Sequence, residues 1–445
     1  MIIMKFGGSS LRDATRINEV ISLIREYLNE HPIIVCSALG STTNNLLEAG
    51  QGALSGDVTI EKIKSDHLKI ITDLNLSQEE ITPLFTELTD LLQGIAVLQK
   101  LTKKTTDALM SFGERLSVRI IAAALSKNGI AAKPFDAFDL GFLTDSKFNN
   151  AEILPETYTN LRKNCAAFSD YHYTPIVTGF IAKDQEGNIT TLGRSGSDLT
   201  ASTLGAALNV REVQVWKDVD GLLTTDPRIV KAARPVGDVS FEEASELAYF
   251  GAKVLHPLAI QPAMAYNIPV RVKNSYNKNH PGTLITAKRE APVALLKALT
   301  TKRNVTLIDL FSSQMLGQYG FLARVFQIFD EHKISVDMVA TSEVSVSLTL
   351  DKNFELKTAV HDLQQIASVH VGYDKAIISL IGDISRSSEI LHLAFGTLHA
   401  IGINVQMISL GASKVNIGLI VEDSQAEDCI KELHKVFFET ENEAA

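Results

Sequence analysis

The chain has 445 residues, of which 45% are hydrophobic and 21% charged, and its formal net charge is −10 at pH 7. This length predicts about three domains, and the composition is that of an ordinary globular protein. The acidic balance argues against nucleic acid or an anionic membrane as a main partner, because both require a basic surface. Cys36, Cys165 and Cys429 lack metal-ligand or disulfide spacing, so we expect reduced thiols.

Targeting segments are not evident in the sequence. Four residues precede Lys5, which leaves no room for the apolar core of a signal peptide. No apolar run approaches the roughly 20 residues that span a bilayer. We therefore expect a cytoplasmic protein without a membrane partner.

Strand and helix patterns alternate from residue 1 to about residue 290. The apolar segments 2–6, 32–37, 131–135, 175–181, 212–216 and 269–273 predict strands buried on both faces of a mainly parallel sheet. Helical spacing predicts a helix over 107–127, and a serine–glutamate capping box predicts another that begins near residue 241. The segment 50–101 reads as a helical insertion. Such an α/β sandwich binds ligands at the carboxyl ends of its strands.

An internal repeat occupies the last third of the chain. Residues 334–338 match 403–407, and residues 344–350 match 415–421. Both matches are offset by about 70 residues, which predicts two copies of a small βαββ unit. The sequence therefore predicts one domain over 1–290 and two smaller units over 300–375 and 376–440.

Two polar segments, each between a predicted strand and a predicted helix, carry the strongest chemical signal. They are KFGGSS at 5–10 and TLGRSGSD at 191–198. Free N–H groups and the helix dipole attract anions at helix N-termini. Two anion sites on one sheet indicate a phosphate-rich nucleotide that meets a second anionic substrate, as in a phosphotransferase. No P-loop motif occurs.

Several charged side chains suit such a reaction. Lys5, beside Gly7 and Gly8, is our candidate for the β- and γ-phosphates, the alternative being a solvated lysine before a turn. The planar fork of Arg194 suits a carboxylate. Asp198 would hold Lys5 or bind Mg²⁺, or else serve as a helix cap.

Further candidates lie after other predicted strands. Glu114 suits an ammonium group, with a Glu–Arg pair on a solvated face as the alternative. Residues 37–44 offer hydroxyls and amides at the same sheet edge, and the loops at 217–221 and 224–228 suit adenine and ribose. The eleven histidines show no metal-ligand spacing.

Seven motifs in order give the chain a family resemblance. They are KFGGSS, SALGSTTN, FGERLS, VTGFIA, TTLGRSGSD, WKDVDGLLTTDPR and FGAKVLHP. The chain resembles the aspartokinases of the amino-acid kinase family, in particular the monofunctional lysine-sensitive type with C-terminal ACT domains. The resemblance implies an amino-acid-kinase three-layer α/β sandwich followed by two ACT-like units.

The implied activity is phosphorylation of the β-carboxylate of L-aspartate by ATP and Mg²⁺, with the metal carried by ATP. This is the first step toward lysine, threonine, methionine and diaminopimelate. Alternatives are a kinase of another small carboxylate acceptor and a non-catalytic amino-acid sensor. The resemblance places Lys5, Gly7, Gly8 and Asp198 at the transfer centre, and Ser37, Thr43, Glu114, Phe180, Arg194 and Ser197 at the aspartate site. It places Lys5, Gly8, Ser9, Lys217, Asp218, Leu223, Arg228 and Lys253 around ATP.

The repeats resemble lysine-binding ACT domains, which implies feedback inhibition by lysine and a homodimer through these units, or a tetramer. The implied effector residues are Met315, Gln318, Phe321, Leu322, Ser335, Val336, Asp337, Thr341, Ser342 and Glu343. Three residues depart from the family pattern: Ser195 replaces a usual glycine, Leu223 a frequent tyrosine and Gln318 a frequent serine.

Overall fold

The computed structural model describes residues 1–169, 172–251, 254–287, 294–312, 315, 319–351 and 356–439. It divides into two compact units. The first unit is Met1–Leu222, Gly237–Phe241 and Val254–Arg289, and the second is Leu223–Val236, Glu242–Lys253 and Glu290–Ala445. Two segments within the first 290 residues therefore pack with the second unit. Among the described residues, every helix is too short or too polar to cross a membrane.

An eight-stranded sheet forms the centre of the first unit, in the order β3-β5-β2-β1-β8-β10-β11-β9. Its strands are β1 (Ile2–Phe6), β2 (Pro32–Cys36), β3 (Ala132–Phe135), β5 (Thr174–Thr178), β8 (Val213–Lys217), β9 (Asp238–Ser240), β10 (Val270–Asn274) and β11 (Thr283–Thr286). The β10–β11 pair is antiparallel and the other neighbours are parallel. β1 and β2 are buried along their whole length, which confirms the predicted mainly parallel sheet covered on both faces.

A smaller sheet follows from a strand break that the sequence pattern did not show. It joins β4 (Leu143–Thr144), β6 (Ile181–Asp184) and β7 (Ile189–Thr191). We predicted one strand over 175–181, but β5 ends at Thr178 and β6 begins at Ile181. Phe180 has a φ of 69°, a left-handed conformation that ends a strand.

Helices pack on both faces of the first sheet and form the predicted insertion. They are α1 (Ala14–Glu26), α2 (Thr42–Ala53), α3 (Glu61–Asp73), α4 (Thr82–Leu98), α5 (Lys103–Lys127), α6 (Glu156–Asn164), α7 (Gly196–Leu208) and α9 (Pro257–Ala265). α8 (Phe241–Phe250) begins at the predicted residue and continues from the first unit into the second. Buried side chains of α2 to α5 join one apolar core with β1 and β2, so the predicted helical insertion over 50–101 is confirmed.

The second unit contains the internal repeat. The first copy is β12 (Leu296–Phe311), α10 (Phe321–Glu331), β13 (Val336–Thr341), β14 (Ser345–Asp351) and α11 (Leu356–Leu363). The second is β15 (Ser368–Gly382), α12 (Ser387–Ala400), β16 (Met407–Ser409), β17 (Asn416–Glu422) and α13 (Ala426–His434). All six strands form one antiparallel sheet, β13-β14-β12-β15-β17-β16, which is symmetric about the β12–β15 pair. The predicted βαββ repeat is confirmed, with a further helix after each copy.

The two faces of this sheet contact different apolar groups. Ile308 and Leu310 of β12 pack with α10 and α11, whereas Leu307 packs on the opposite face with Phe250 of α8. Side chains alternate between faces along a strand, so one face belongs to the repeat's own helices and the other receives α8.

Candidate active site

Three charged side chains meet where β1 and β8 end and α7 begins. The Nζ atom of Lys5 in β1 lies 2.6 Å from Oδ1 of Asp198, in the first turn of α7. Lys217, the last residue of β8, donates a hydrogen bond of 3.1 Å to Oδ2 of the same carboxylate. Because β1 and β8 are parallel neighbours, their carboxyl ends lie at one sheet edge. This pairing brings both lysines to Asp198.

Buried charges at this centre perturb each other. Burial alone would raise the pKa of Asp198, but the ammonium groups of Lys5 and Lys217 outweigh it and hold that pKa below its usual value. Burial lowers the pKa of Lys217, and the attraction of Asp198 offsets this only in part. Among these three side chains two ammonium groups share one carboxylate, which leaves one positive charge in excess beside a helix N-terminus. Such a centre favours an anionic ligand.

The glycine turn after β1 packs closely on the loop after β2. A Cβ atom on Gly8 would lie 2.8 Å from the carbonyl oxygen of Ala38, too close for a side chain, whereas one on Gly7 would meet nothing nearer than 3.7 Å. Only Gly8 is therefore required by the close approach of two backbones. Ser9 is exposed on this turn, and Ser37 is half-buried at the start of the facing loop.

Glu114 lies on α5 with a carboxyl group that is almost fully buried, at 3% exposure. Its Oε1 accepts a hydrogen bond of 3.1 Å from the N–H of Ala38, and its Oε2 has no hydrogen-bond partner in the described part of the chain. Burial raises the pKa of Glu114 to about 8, against the opposing effects of that N–H and of Lys5. The alternative of a Glu–Arg pair on a solvated face is wrong, because Arg115 pairs with two other carboxylates.

Arg194 is exposed in the loop between β7 and α7. It lines a cavity of about 730 Å³ together with Tyr158, His256 and Gln261. Burial and the Arg194 charge lower the pKa of His256. With its lowered pKa, His256 is neutral at pH 7, so Arg194 is the charged member of this pair. Its guanidinium group in the cavity suits a carboxylate ligand.

The backbone on both sides of Arg194 has left-handed dihedral angles. Gly193 has a φ of +68°, and a Cβ atom there would lie 2.4 Å from Oδ1 of Asn150. Ser195 has a φ of 57°, a conformation that is unfavourable for any residue with a Cβ atom. The departure from the family's usual glycine therefore occurs at a position where glycine would be free of strain.

The remaining predicted substrate residues lie on nearby elements of the first unit. Ser197 is 8% exposed in the first turn of α7, and Thr43 is half-buried in the first turn of α2. The N–H of Phe180 donates a hydrogen bond of 3.0 Å to Oγ1 of Thr200. Asp218 is exposed directly after β8.

The sequence interpretation missed Asp107. This residue of α5 is fully buried, and its carboxyl group accepts hydrogen bonds from Asn149 and from Thr191 at the end of β7. The signal that could have found it is an acidic residue on the apolar face of the predicted helix, two turns before Glu114.

Two of the predicted nucleotide residues belong to the second unit. Leu223 is half-buried, and the exposed Arg228 pairs with Asp226 at 2.5 Å. The segment that carries them is attached within that unit, since Thr224 hydrogen-bonds His434 at 3.0 Å. The predicted ATP residue Lys253 lies outside the described residues.

The predicted effector residues lie on the first repeat of the second unit. Met315, Phe321 and Val336 pack in one apolar cluster. The exposed members are Leu322, Ser335, Thr341, Ser342 and Glu343. Gln318 lies outside the described residues.

Asp337 is the predicted effector residue that pairs with a cation. Oδ1 accepts a hydrogen bond of 2.6 Å from the Tyr249 hydroxyl on α8, and Oδ2 lies 2.8 Å from Nζ of Lys302. Its side chain is 1% exposed. The same ammonium group pairs with Asp351 and lies 4.9 Å from the centre of the Tyr249 ring. Asp337 is thus already paired with a cation from its own chain.

Other chemistries receive no support from the described residues. Within the described ranges, no group of three or more histidine, cysteine or acidic side chains could hold a metal ion. The three cysteines are buried and free, and burial raises the pKa of each to about 12. A thiol with such a pKa stays protonated and is a poor nucleophile.

Comparisons with known proteins match both parts of the chain. The amino acid kinase family matches residues 1–274, and the ACT domain matches residues 308–365 and 378–437. Aspartokinase 1, chloroplastic, of Arabidopsis thaliana is 51% identical over 98% of this chain and 80% of its own. Lysine-sensitive aspartokinase 3 of Escherichia coli is 35% identical over 99% of each chain. The crystal structure of E. coli aspartokinase III in complex with aspartate and ADP (R-state) matches with a TM-score of 0.81 and 34% identity, covering 98% of this chain and 100% of that chain.

Proposed function

The chain belongs to the aspartokinase branch of the amino acid kinase family, and we propose that it transfers the γ-phosphoryl group of ATP to the β-carboxylate of L-aspartate. The observation that carries this proposal is the Lys5–Asp198–Lys217 centre, in which two ammonium groups share one buried carboxylate beside the N-terminus of α7. The E. coli relative was solved with aspartate and ADP, and this centre offers the charge that both ligands need.

The two lysines supply what phosphoryl transfer requires of a protein. A substrate carboxylate is ionised at neutral pH and needs no general base. The obstacle is repulsion between that carboxylate and the phosphates, so catalysis depends on positioning and on neutralising charge. Lys5 and Lys217 neutralise phosphate oxygens, while Asp198 orients both ammonium groups from one carboxylate. The turn at Gly7 and Gly8 brings backbone N–H groups to the same sheet edge.

Recognition of L-aspartate falls to groups of opposite charge. The exposed guanidinium of Arg194 would bind the α-carboxylate through two hydrogen bonds. The orphaned Oε2 of Glu114 would accept a hydrogen bond from the α-ammonium group. Thr43, Phe180 and Ser197 are proposed to complete the acceptor site. Such a pair selects an α-amino acid over a simple dicarboxylate.

We propose that Mg²⁺ enters on the phosphates of ATP. Both oxygens of Asp198 already face ammonium groups, so this carboxylate does not suit a dedicated cation site. The metal would neutralise phosphate charge during transfer, and the nucleotide itself would supply most of its ligands. Ser9, Asp218, Leu223, Arg228 and Lys253 are proposed to bind the rest of ATP.

Lysine is the proposed feedback inhibitor, bound at the first ACT repeat by the residues named above. The E. coli relative at 35% identity is lysine-sensitive, and Asp337 holds an ammonium group in the described structure. The second unit also contains the segment with Leu223 and Arg228. Inhibition at this repeat requires that lysine bind two states of the protein unequally. A homodimer through the ACT repeats, or a tetramer, remains our prediction for the assembly.

The test follows ADP release from ATP and Mg²⁺ with L-aspartate as acceptor, with and without lysine. We expect release that depends on aspartate and is suppressed by lysine. Release from folded protein that is independent of aspartate, or absent, would contradict the proposed reaction. Aspartate-dependent release that lysine does not suppress would support the proposed reaction and contradict lysine as the inhibitor.

A Lys302→Met variant sharpens the effector proposal. Lysine must displace the Lys302 ammonium group from Asp337, so removing that group should lower the lysine concentration needed for half-inhibition. Tyr249→Phe, which keeps the ring, is the matched control for the other contact of Asp337. An inhibition curve unchanged in Lys302→Met would show that the effector does not use Asp337.

A further inference from the structure

Asp107 is a fully buried acidic side chain whose carboxyl group accepts hydrogen bonds from the uncharged residues Asn149 and Thr191. The N–H of Asn149 donates to both carboxyl oxygens, at 3.1 and 3.0 Å, and the Asn149 side-chain amide donates at 2.5 Å. Thr191 donates from its N–H at 2.9 Å and from Oγ1 at 2.7 Å. This carboxyl group therefore joins α5 to two segments that are 42 and 84 residues away in sequence.

The two segments that Asp107 holds flank the Arg194 loop. Thr191 is the last residue of β7, three positions before Arg194. Asn149 precedes Asn150, which packs so closely on Gly193 that a Cβ atom there would lie 2.4 Å from Oδ1 of Asn150. The Arg194 loop therefore begins at Thr191, which Asp107 holds directly, and packs at Gly193 on the neighbour of Asn149, which Asp107 also holds.

The same helix also carries Glu114. Residues seven apart complete almost two helical turns and share a face, so Asp107 and Glu114 project from one side of α5. A shift between α5 and β7 would therefore change the distance between the Glu114 carboxyl and the Arg194 loop. Asp107 is placed to prevent that shift.

We infer that Asp107 is a positioning residue that sets the spacing of Glu114 and Arg194 to the α-ammonium and α-carboxylate groups of L-aspartate. The inference rests on the proposed function. It assigns a role in acceptor affinity and selectivity to a residue that contacts neither substrate. Asp107 acts through Thr191 and Asn149, and these hydrogen bonds involve neither β1, β8 nor α7, which build the proposed nucleotide end of the site.

Asp184 provides a matched control for a purely structural role. It is also buried, at 3% exposure, and accepts hydrogen bonds from Ser146, Glu186 and Asn188. It stabilises the turn between β6 and β7, at the end of β7 away from Thr191. Asp184→Asn therefore disturbs a comparable cluster in the same small sheet while it keeps the Asp107 carboxyl group and its donors from Asn149 and Thr191.

The experiment compares Asp107→Asn with Asp184→Asn in the full chain, by steady-state kinetics and thermal unfolding. Misplacing a binding group by about 1 Å can cost up to about 100-fold. We expect Asp107→Asn to raise KM for L-aspartate by about tenfold or more, with KM for ATP within about twofold. Asp184→Asn should lower the unfolding midpoint while both KM values stay unchanged. Equal KM values for aspartate in the two variants would overturn the inference.

A milder pair covers the case in which Asp107→Asn does not fold. Thr191→Val removes the 2.7 Å hydroxyl bond and keeps the backbone N–H, whereas Thr191→Ser keeps both donors. We expect a raised KM for aspartate in Thr191→Val and its rescue in Thr191→Ser. Equal values in the two Thr191 variants would also reject the positioning role. Absence of aspartate-dependent turnover in the unmodified chain would instead reject the proposed function, so the two failures are distinguishable.

Discussion

The proposed acceptor end of the site contains Glu114 and the proposed phosphate end contains Asp198. Both carboxyl groups are buried, and their pKa values shift in opposite directions. Glu114 is 3% exposed and Asp198 is 2% exposed, so burial alone does not distinguish them. Burial raises the pKa of Glu114 to about 8. For Asp198 the same penalty is outweighed by two ammonium groups, and its pKa is lowered.

The two pKa values shift in opposite directions because the two carboxyl groups differ in the source of a neighbouring cation. Asp198 receives two from its own chain, and the surplus charge is available to phosphate. Glu114 receives one backbone N–H, and its second oxygen has no partner among the described residues. A buried carboxyl group without a second partner ionises more easily when a cation binds beside it. The ammonium group of the proposed substrate provides that cation. Asp198 is therefore ionised before any ligand binds, whereas Glu114 becomes ionised when its ligand binds.

Removing Lys5 should have the largest effect, because it abolishes the surplus charge at the Asp198 end. Losing one such electrostatic contact typically costs about 10²–10³-fold in rate. We expect Lys5→Ala to reduce kcat by that amount, and Lys5→Arg, which keeps a cation, to lose less. Steady-state ADP release measures the effect, with circular dichroism as the folding control. Near-normal turnover in folded Lys5→Ala protein would remove Lys5 from the transfer centre.

A pH profile should report the Glu114 end. The free protein holds this carboxyl protonated below about pH 8, so binding an ammonium group requires release of a proton. We expect KM for L-aspartate to fall by about tenfold per pH unit as pH rises toward 8, and then to level off. KM for ATP serves as the internal control. The slope should vanish in Glu114→Gln, and its persistence there would assign the titration to another group.

The free energy of unfolding should also report the raised pKa of Glu114, with a smaller effect than the KM for L-aspartate. The folded-state pKa of Glu114, about 8, exceeds its ordinary value of 4.5. The folded protein therefore binds the extra proton between these values, and the free energy of unfolding falls as pH rises through this window. Glu114→Gln should be more stable than the unmodified chain at pH 8, and the difference should shrink toward pH 5. Denaturant unfolding at both pH values measures it, and a difference that does not depend on pH would contradict the burial argument.

Local patterns predicted much of the fold and part of the site. Short segments around Lys5 and Asp198 form a strand, a glycine turn and a helix N-terminus. Their residue types alone indicate that they can bind an anion. The helical insertion and the ACT repeat were also predictable, because hydrophobic periodicity and internal similarity extend over many residues. These signals need no knowledge of distant contacts.

Contacts between distant segments were not predictable. Glu114 precedes an arginine, and nothing in the sequence says that Arg115 turns to other carboxylates while Glu114 is buried against Ala38, 76 residues away. Asp107 depends on Asn149 and Thr191, which are 42 and 84 residues away in sequence. Asp337 likewise meets Tyr249, 88 residues away. Burial and pairing of charged groups are set by tertiary structure, so residue type alone left their roles open.

Ser195 offers the smallest and most local test of the Asp198 end. A residue with a Cβ atom in the left-handed region is strained by roughly 1–2 kcal/mol, and glycine recovers part of this while increasing the entropy of the unfolded chain. We expect Ser195→Gly to raise the free energy of unfolding by roughly 0.5–1 kcal/mol, whereas Ser195→Ala, which keeps the strain and removes the hydroxyl, should not. Because α5 is untouched, the pH slope of KM for aspartate should be unchanged in both. A slope altered by Ser195→Gly would show that the two ends of the site are coupled through the Arg194 loop, and that their opposite pKa shifts do not arise independently.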